Sequence, residues 1–206
     1  MKKLYLRGEI SVNCYIIDYN DKCYIIDPSY EKKKIVEYVD NNNLKVEGIL
    51  LTHGHLDHIG AVDCFDVPIF IYEKEYDLLM NDDLNGYNSL GVNNPLELSK
   101  FNIQKFSLNK EFNIDDKKIF VIHTPSHTSG GVCYVFDKMI FTGDTIFKGA
   151  VGRWDFPTGN IEELKKSVVK IIDTFDNDYE IYPGHNDSSK IGIEKHENKY
   201  YNMWKN

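Results

Sequence analysis

The stretch THGHLDHIGA, residues 52–61, constrains this chain more than any other. It sets three histidines and an aspartate directly after the apolar run Gly48-Ile49-Leu50-Leu51. The whole chain has only seven histidines, so three of them are spent where a buried strand ends. In extended chain, residues i and i+2 point the same way, which lets His53 and His55 meet one cation. Asp57 and His58 open the next element, a helix, and point elsewhere, where a second cation is an option. Neutral imidazole and carboxylate suit Zn²⁺, and also Fe or Mn. A polar loop or a helix N-terminus capped by Asp57 would account for one histidine. It does not account for four ligand-type residues at this spacing.

A metal site needs further ligands, and these are sought near other strand ends. Three candidates fit. His127 follows a strand ending at Ile122, Asp144 follows a hairpin in Thr142-Gly143-Asp144, and His185 closes Pro183-Gly184-His185. Each has a Gly or Pro nearby to shape a tight turn.

The remaining pattern is that of an α/β chain. Residues 13–18 and 23–27 read as paired strands turning at Asn20-Asp21, with Cys14 facing Asp27 and Cys23 facing Asp18. Residues 31–39 read as a helix with Ile35, Val36 and Val39 on one face. A strand over 67–72 precedes a helix over about 73–80, and residues 82–99 read as a polar loop. Further strands fall at 118–122, 132–136, 139–142 and 180–182. Asn160 caps a helix whose stripe is Ile161, Leu164, Val168, Ile171, Ile172 and Phe175, with Glu163 reaching back to the cap. Two rounds of strands followed by helices predict two sheets face to face with helices outside.

The 206 residues carry no linker-like segment and no repeat, so one domain is expected. Hydrophobic residues at 42% and charged residues at 27% exclude a disordered chain. The Asn41-Asn42-Asn43 and Asn93-Asn94 patches read as loops. A net charge of −8 argues against a nucleic-acid partner. No apolar run approaches the roughly 20 residues of a membrane span. Residues 1–9 lack the apolar core of a signal peptide, so a cytoplasmic protein is expected. The four cysteines form no C-x-x-C pair and read as buried thiols in a reducing compartment.

The motifs T-H-x-H-x-D-H-x-G, T-P-x-H-T, F-T-G-D-T-x-F and P-G-H, in this order, resemble the metallo-β-lactamase superfamily. Within it the chain is similar to the short bacterial glyoxalase II-like (hydroxyacylglutathione hydrolase-like) enzymes. The likeness runs from Ile25-Ile26-Asp27-Pro28 to Gly192-x-Glu194-Lys195. It implies an αββα sandwich of two mixed sheets with outer helices, and a two-metal centre at the sheet edges. By that resemblance His53, His55 and His127 hold one metal. Asp57, His58 and His185 hold the other, Asp144 bridges, and Asp57 also orients water. Zinc is the first choice, with iron or manganese as alternatives. Asp27 orients a ligand from behind or serves the turn. His123 supports or packs, since the family uses the second histidine of its motif, and His196 is expected at the surface.

Three departures stand out. Ser126 replaces the usual glycine of T-P-G-H-T. The lysine and aromatic residues that grip glutathione have no match in residues 152–157. The helical C-terminal domain that completes the glutathione site in larger relatives is not expected after His185.

Two divalent cations sharing Asp144 lower the pKa of a bridging water from about 15.7 toward about 7. The resulting hydroxide attacks a carbonyl without a serine or cysteine nucleophile, and no triad surrounds Ser126. A thiolate, of pKa about 8.5, leaves without a strong acid. The expected activity is hydrolysis of a 2-hydroxyacyl thioester. Arg153 is a candidate for a substrate carboxylate, or pairs with Asp155, and Trp154 lines the pocket or packs. The alternative is a persulfide dioxygenase with one iron on the positions of His53, His127 and Asp144. A lactonase is a further use of the same centre.

Overall fold

The computed structural model describes residues 2–7, 11–93 and 95–205. Met1, Gly8 and Glu9 of the N-terminal stretch, and Asn94 of the second asparagine patch, lie outside the described residues. The chain divides into two units, Met1–Ser107 with Ile114–Asp116, and Leu108–Asn113 with Lys117–Asn206.

The first unit is built on a six-stranded sheet in simple sequence order. Its strands are β1 (Lys2–Arg7), β2 (Ser11–Tyr19), β3 (Lys22–Ile26), β4 (Lys45–Leu50), β5 (Ile69–Tyr72) and β6 (Ile103–Phe106). β1, β2 and β3 pair antiparallel, while β3 to β6 pair parallel. The β2–β3 hairpin turns at Asn20, whose φ of 55° is a left-handed conformation that asparagine tolerates. Asp18 faces Cys23 in the ladder, as the sequence register predicts, and all four cysteines are free and buried.

Parallel strands need a crossover, and α1 (Lys32–Asn41) supplies the one from β3 to β4. It buries Ile35 and Val39 in a cluster with Ile16, Ile25, Ile49 and Ile71. The β4–β5 connection carries α2 (Leu56–Ile59), and α3 (Tyr76–Leu79) follows β5. A continuous helix over 73–80 does not form. A 3-10 turn, Glu73–Glu75, precedes one α turn, and the chain leaves at Asn81, which takes the amides of Asp83, Leu84 and Asn85.

The second unit carries β7 (Phe112–Ile114), β8 (Lys117–His123), β9 (Val132–Phe136), β10 (Met139–Gly143), β11 (Ile146–Phe147), β12 (Ala150–Val151), β13 (Glu180–Pro183) and β14 (Ser189–Lys190). Its main sheet has the order β14-β13-β10-β9-β8-β7, and β11 pairs only with β12. The β9–β10 hairpin turns at Asp137, with φ 50°. β10 and β13 run parallel, which sets Gly143 beside Pro183.

The helices are α4 (Ile161–Thr174), α5 (Ile191–Glu197) and α6 (Lys199–Trp204). Asn160 caps α4 by accepting from the amides of Glu162 at 2.9 Å and Glu163 at 3.1 Å. Glu163 does not reach back as expected; its carboxylate takes Lys166 at 2.7 Å. Leu164, Val168, Ile171 and Ile172 bury against Ile140 and Ile181, each contributing about 1.5–3 kcal/mol. The two mixed sheets with helices agree with the α/β class read from the sequence. Among the described residues no helix is long and apolar enough to cross a membrane.

Candidate metal centre

In the first unit the ligand-type residues are arranged around Asp27, just past the end of β3. Asp27 has φ 48° and is 1% exposed. Its Oδ1 accepts from the Thr52 amide at 2.8 Å, and its Oδ2 from the Thr52 hydroxyl at 2.6 Å. The same Oδ2 faces His58 Nδ1 at 2.9 Å. The Thr52 hydroxyl, having donated to Asp27, is left to accept from His53 Nδ1 at 3.1 Å. Both imidazoles therefore carry their proton on Nδ1 and keep the lone pair on Nε2, the tautomer a metal ligand needs. Asp27 thus contacts both Thr52 and His58. Thr52, read only as part of the motif, completes the relay.

β4 ends at Leu50, so His53 and His55 are not in a strand. The extended-chain reason for pairing them is replaced by a bent one. Gly54 lets this segment approach α3 closely: a Cβ there would lie 2.9 Å from the Leu79 Cα. The Gly54 amide donates to Glu75 Oε1 at 3.1 Å, and the Leu56 amide to the Asn85 carbonyl at 2.9 Å. The result brings the two imidazoles edge to face with centroids 4.8 Å apart, and His53 lies 4.1 Å from His58. Asp57 Oδ2 stands 3.9 Å from His58 Nε2. His53, His55 and His58 are all buried.

In the second unit Asp144 sits just after β10 and His185 just after β13. Gly143 has φ 48°, and its carbonyl accepts from the Gly184 amide at 2.8 Å. Asp144 Oδ2 lies 3.3 Å from His185 Nε2 and 3.6 Å from His127 Nε2. His127 Nδ1 donates to the Arg153 carbonyl at 2.8 Å, which again leaves Nε2 as the lone-pair nitrogen. Phe156 meets His127 edge-on at 5.1 Å, and Phe147 meets His185 edge-on at 5.8 Å. The close approach of Gly152 to Asp144 leaves no room for a side chain; a Cβ would fall 1.8 Å from the Asp144 carbonyl oxygen.

His123 ends β8 and bonds the Ser129 carbonyl at 3.0 Å, which backs the loop that carries His127. His196 is exposed, as expected. The Arg153 guanidinium forms a two-point pair with Asp155, both contacts at 2.9 Å, and lies 4.5 Å over the Phe156 ring. Trp154 is 36% exposed. Burial pushes the thiols of Cys23 and Cys64 up to about 12 and that of Cys133 up to about 11, with Cys14 raised well above its ordinary value. Protonated and buried, they supply neither nucleophile nor thiolate ligand.

A sequence model described as "Metallo-beta-lactamase superfamily" matches residues 7–185, which includes every ligand-type residue named above. The chain belongs to the metallo-β-lactamase superfamily. A relative named hydroxyacylglutathione hydrolase GloC, from Haemophilus influenzae, is 32% identical over 207 residues, covering 92% of each chain. Relatives named probable metallo-hydrolase, from Streptococcus pyogenes and Bacillus subtilis, are 32% and 31% identical. Among solved structures, the BLEG-1 B3 metallo-β-lactamase is similar with a TM-score of 0.85 and 30% identity, over 97% of this chain and 98% of that one. TTHA1623 in a di-iron-bound form follows at 0.82 and 26%, over 97% and 100%. These matches support a metallo-hydrolase of this superfamily that uses divalent metal.

Proposed function

We propose that the two ligand sets hold two divalent cations and that the protein hydrolyses a 2-hydroxyacyl thioester. His53, His55 and His127 are assigned to one cation, Asp57, His58 and His185 to the other, and Asp144 to both. The observation that carries this reading is that Nδ1 of His53, His58 and His127 each faces a protein oxygen, at 3.1, 2.9 and 2.8 Å. With the proton on Nδ1 given to that oxygen, each ring keeps the Nε2 lone pair for a cation. The spacing of Asp144 from its two histidines, 3.3 and 3.6 Å, also supports it. Two donors about 2.0–2.1 Å from one tetrahedral cation stand about 3.4 Å apart. Zinc suits this all N and O donor set, and so does iron, the metal bound in the di-iron form of TTHA1623.

When bound, the cations supply a Lewis acid that makes water a nucleophile at neutral pH. The protein's own groups do the rest. Asp57, at the start of α2, holds and orients the attacking water. The Asp27–Thr52 relay keeps His53 and His58 in register. A thiolate leaves without a general acid, so no further proton donor is needed. Arg153 receives a substrate carboxylate by exchanging its Asp155 partner, and Trp154 forms the rim. The GloC relative acts, by its name, on hydroxyacylglutathione, which supports the thioester class. The family match runs through both units, which supports their acting as one domain. The net charge of −8 favours a small-molecule substrate over nucleic acid.

The test is metal content by elemental mass spectrometry of protein purified without added metal, followed by thioester cleavage. About two divalent ions per chain with thioester turnover is the expected result. A single iron per chain with O₂-dependent persulfide oxidation would replace the hydrolase with the dioxygenase. Two metals with turnover of lactones alone would keep the centre and discard the thioester.

A further inference from the structure

We propose that Glu194 and Asn198 are positioning residues for Asp144, His127 and His185, acting through the β11–β12 hairpin. The inference rests on the metal assignment above. Both side chains are fully buried, which is rare for a glutamate outside a pairing network. The Glu194 carboxylate accepts from the Gly149 amide at 3.0 Å, from Asn198 Nδ2 at 2.8 Å and from the Ser189 hydroxyl. Asn198 Nδ2 also donates to the Ala150 carbonyl at 3.0 Å. These two side chains therefore grip the hairpin at adjacent residues, one by its N–H and one by its C=O. Gly149 has φ 67° and turns the chain there.

The gripped hairpin adjoins the side chains assigned to metal. It starts just after Asp144, and the Thr142 hydroxyl donates to the Ile146 carbonyl at 2.9 Å. Within it, Phe147 stands edge-on to His185. Just beyond it, the Arg153 carbonyl accepts the Nδ1 proton of His127. A shift of the hairpin would move all three side chains together. If α5 needed only packing here, an apolar residue would serve as well as it does at Ile191 and would spare the cost of burying a carboxylate.

Three variants test the idea: Glu194→Ala, Glu194→Gln and Asn198→Asp. Asn198→Asp keeps the Oδ1 that caps α6 but loses the donor to Ala150 and sets a carboxylate against Glu194. Zinc affinity is measured by competition with a chromophoric chelator, and the cobalt-substituted protein gives the ligand-field spectrum. In folded protein, Glu194→Ala and Asn198→Asp should weaken at least one metal by about 10–100-fold and shift the cobalt bands. Glu194→Gln, which keeps an acceptor for Gly149, should restore most of the affinity. Wild-type affinity and spectrum in folded Glu194→Ala or Asn198→Asp would overturn the proposal. So would loss of the fold in every variant, since the pair would then serve stability alone. A wild-type protein that binds no divalent metal would sink the functional reading and this one with it. Metal-loaded wild type and equally loaded variants would sink this one alone.

Discussion

Replacing Asp27 with asparagine isolates the tautomer argument from the fold. Asparagine tolerates the φ of 48° at this position and has the same shape. Its one carbonyl oxygen can still accept the Thr52 amide, as Oδ1 does at 2.8 Å. The NH₂ group then faces His58 Nδ1, where Oδ2 now stands at 2.9 Å. To avoid a clash of two donors, His58 must move its proton to Nε2 and so lose the lone pair that would bind metal. Such supporting contacts are worth about 10–100-fold in metal affinity, or about 1.4–2.7 kcal/mol. Asp27→Ala should go further, leaving the Thr52 amide and His58 Nδ1 without this acceptor at about 1–3 kcal/mol each. The assay is metal retention after a graded chelator challenge, read beside a thermal melt of the apo protein. Asp27→Asn that keeps wild-type affinity through the challenge would refute the claim that Asp27 fixes the ligand tautomer.

Three further outcomes are expected. Gly152→Ala forces the chain away from an Asp144 carbonyl only 1.8 Å from the new Cβ, an overpacking of about 1–3 kcal/mol or more; a melting curve should show it, together with reduced metal content. Arg153→Ala should leave the melting temperature unchanged, because its pair with Asp155 is exposed, yet raise KM with little change in kcat if the guanidinium binds substrate. The buried thiols make stability fall at alkaline pH: their folded pKa values are raised, so the folded state holds protons that the unfolded state releases. That contribution is whole below about pH 9 and is lost as pH rises toward 11–12, at about 1.4 kcal/mol per pH unit for each thiol; urea melts from pH 7 to 11 would read it.

His127, Asp144 and His185 stand out in the sequence because each follows a strand with a Gly or Pro nearby, and the 53–58 cluster because His and Asp at such spacing have little other use. The β2–β3 register was legible from its β-branched runs and the Asn20-Asp21 turn. The strands β1 and β6 were not. β6 is an edge strand, Ile103-Gln104-Lys105-Phe106, whose two middle residues are exposed, so its apolar signal is only two residues deep. The buried carboxylates were hidden for a different reason. Glu75 and Glu194 lie among the lysines and acids of short helical segments, where a glutamate reads as solvated face. Only the tertiary fold brings the Gly54 and Gly149 amides to them. Arg153 was read two ways from sequence, and its pairing with Asp155 is the contact formed in this structure.

The parallel register of β10 and β13 has an evolutionary consequence. Gly143 and Pro183 are neighbours across the ladder, so Asp144 and His185 are held at a fixed offset by backbone hydrogen bonds. One residue of slip would displace His185 by about 3.3 Å, more than the length of a metal–nitrogen bond. Insertions within these two strands are therefore closed to variation. New substrates would be acquired by changing exposed residues such as Arg153 and Trp154, on a frame that tolerates almost no edits of its own.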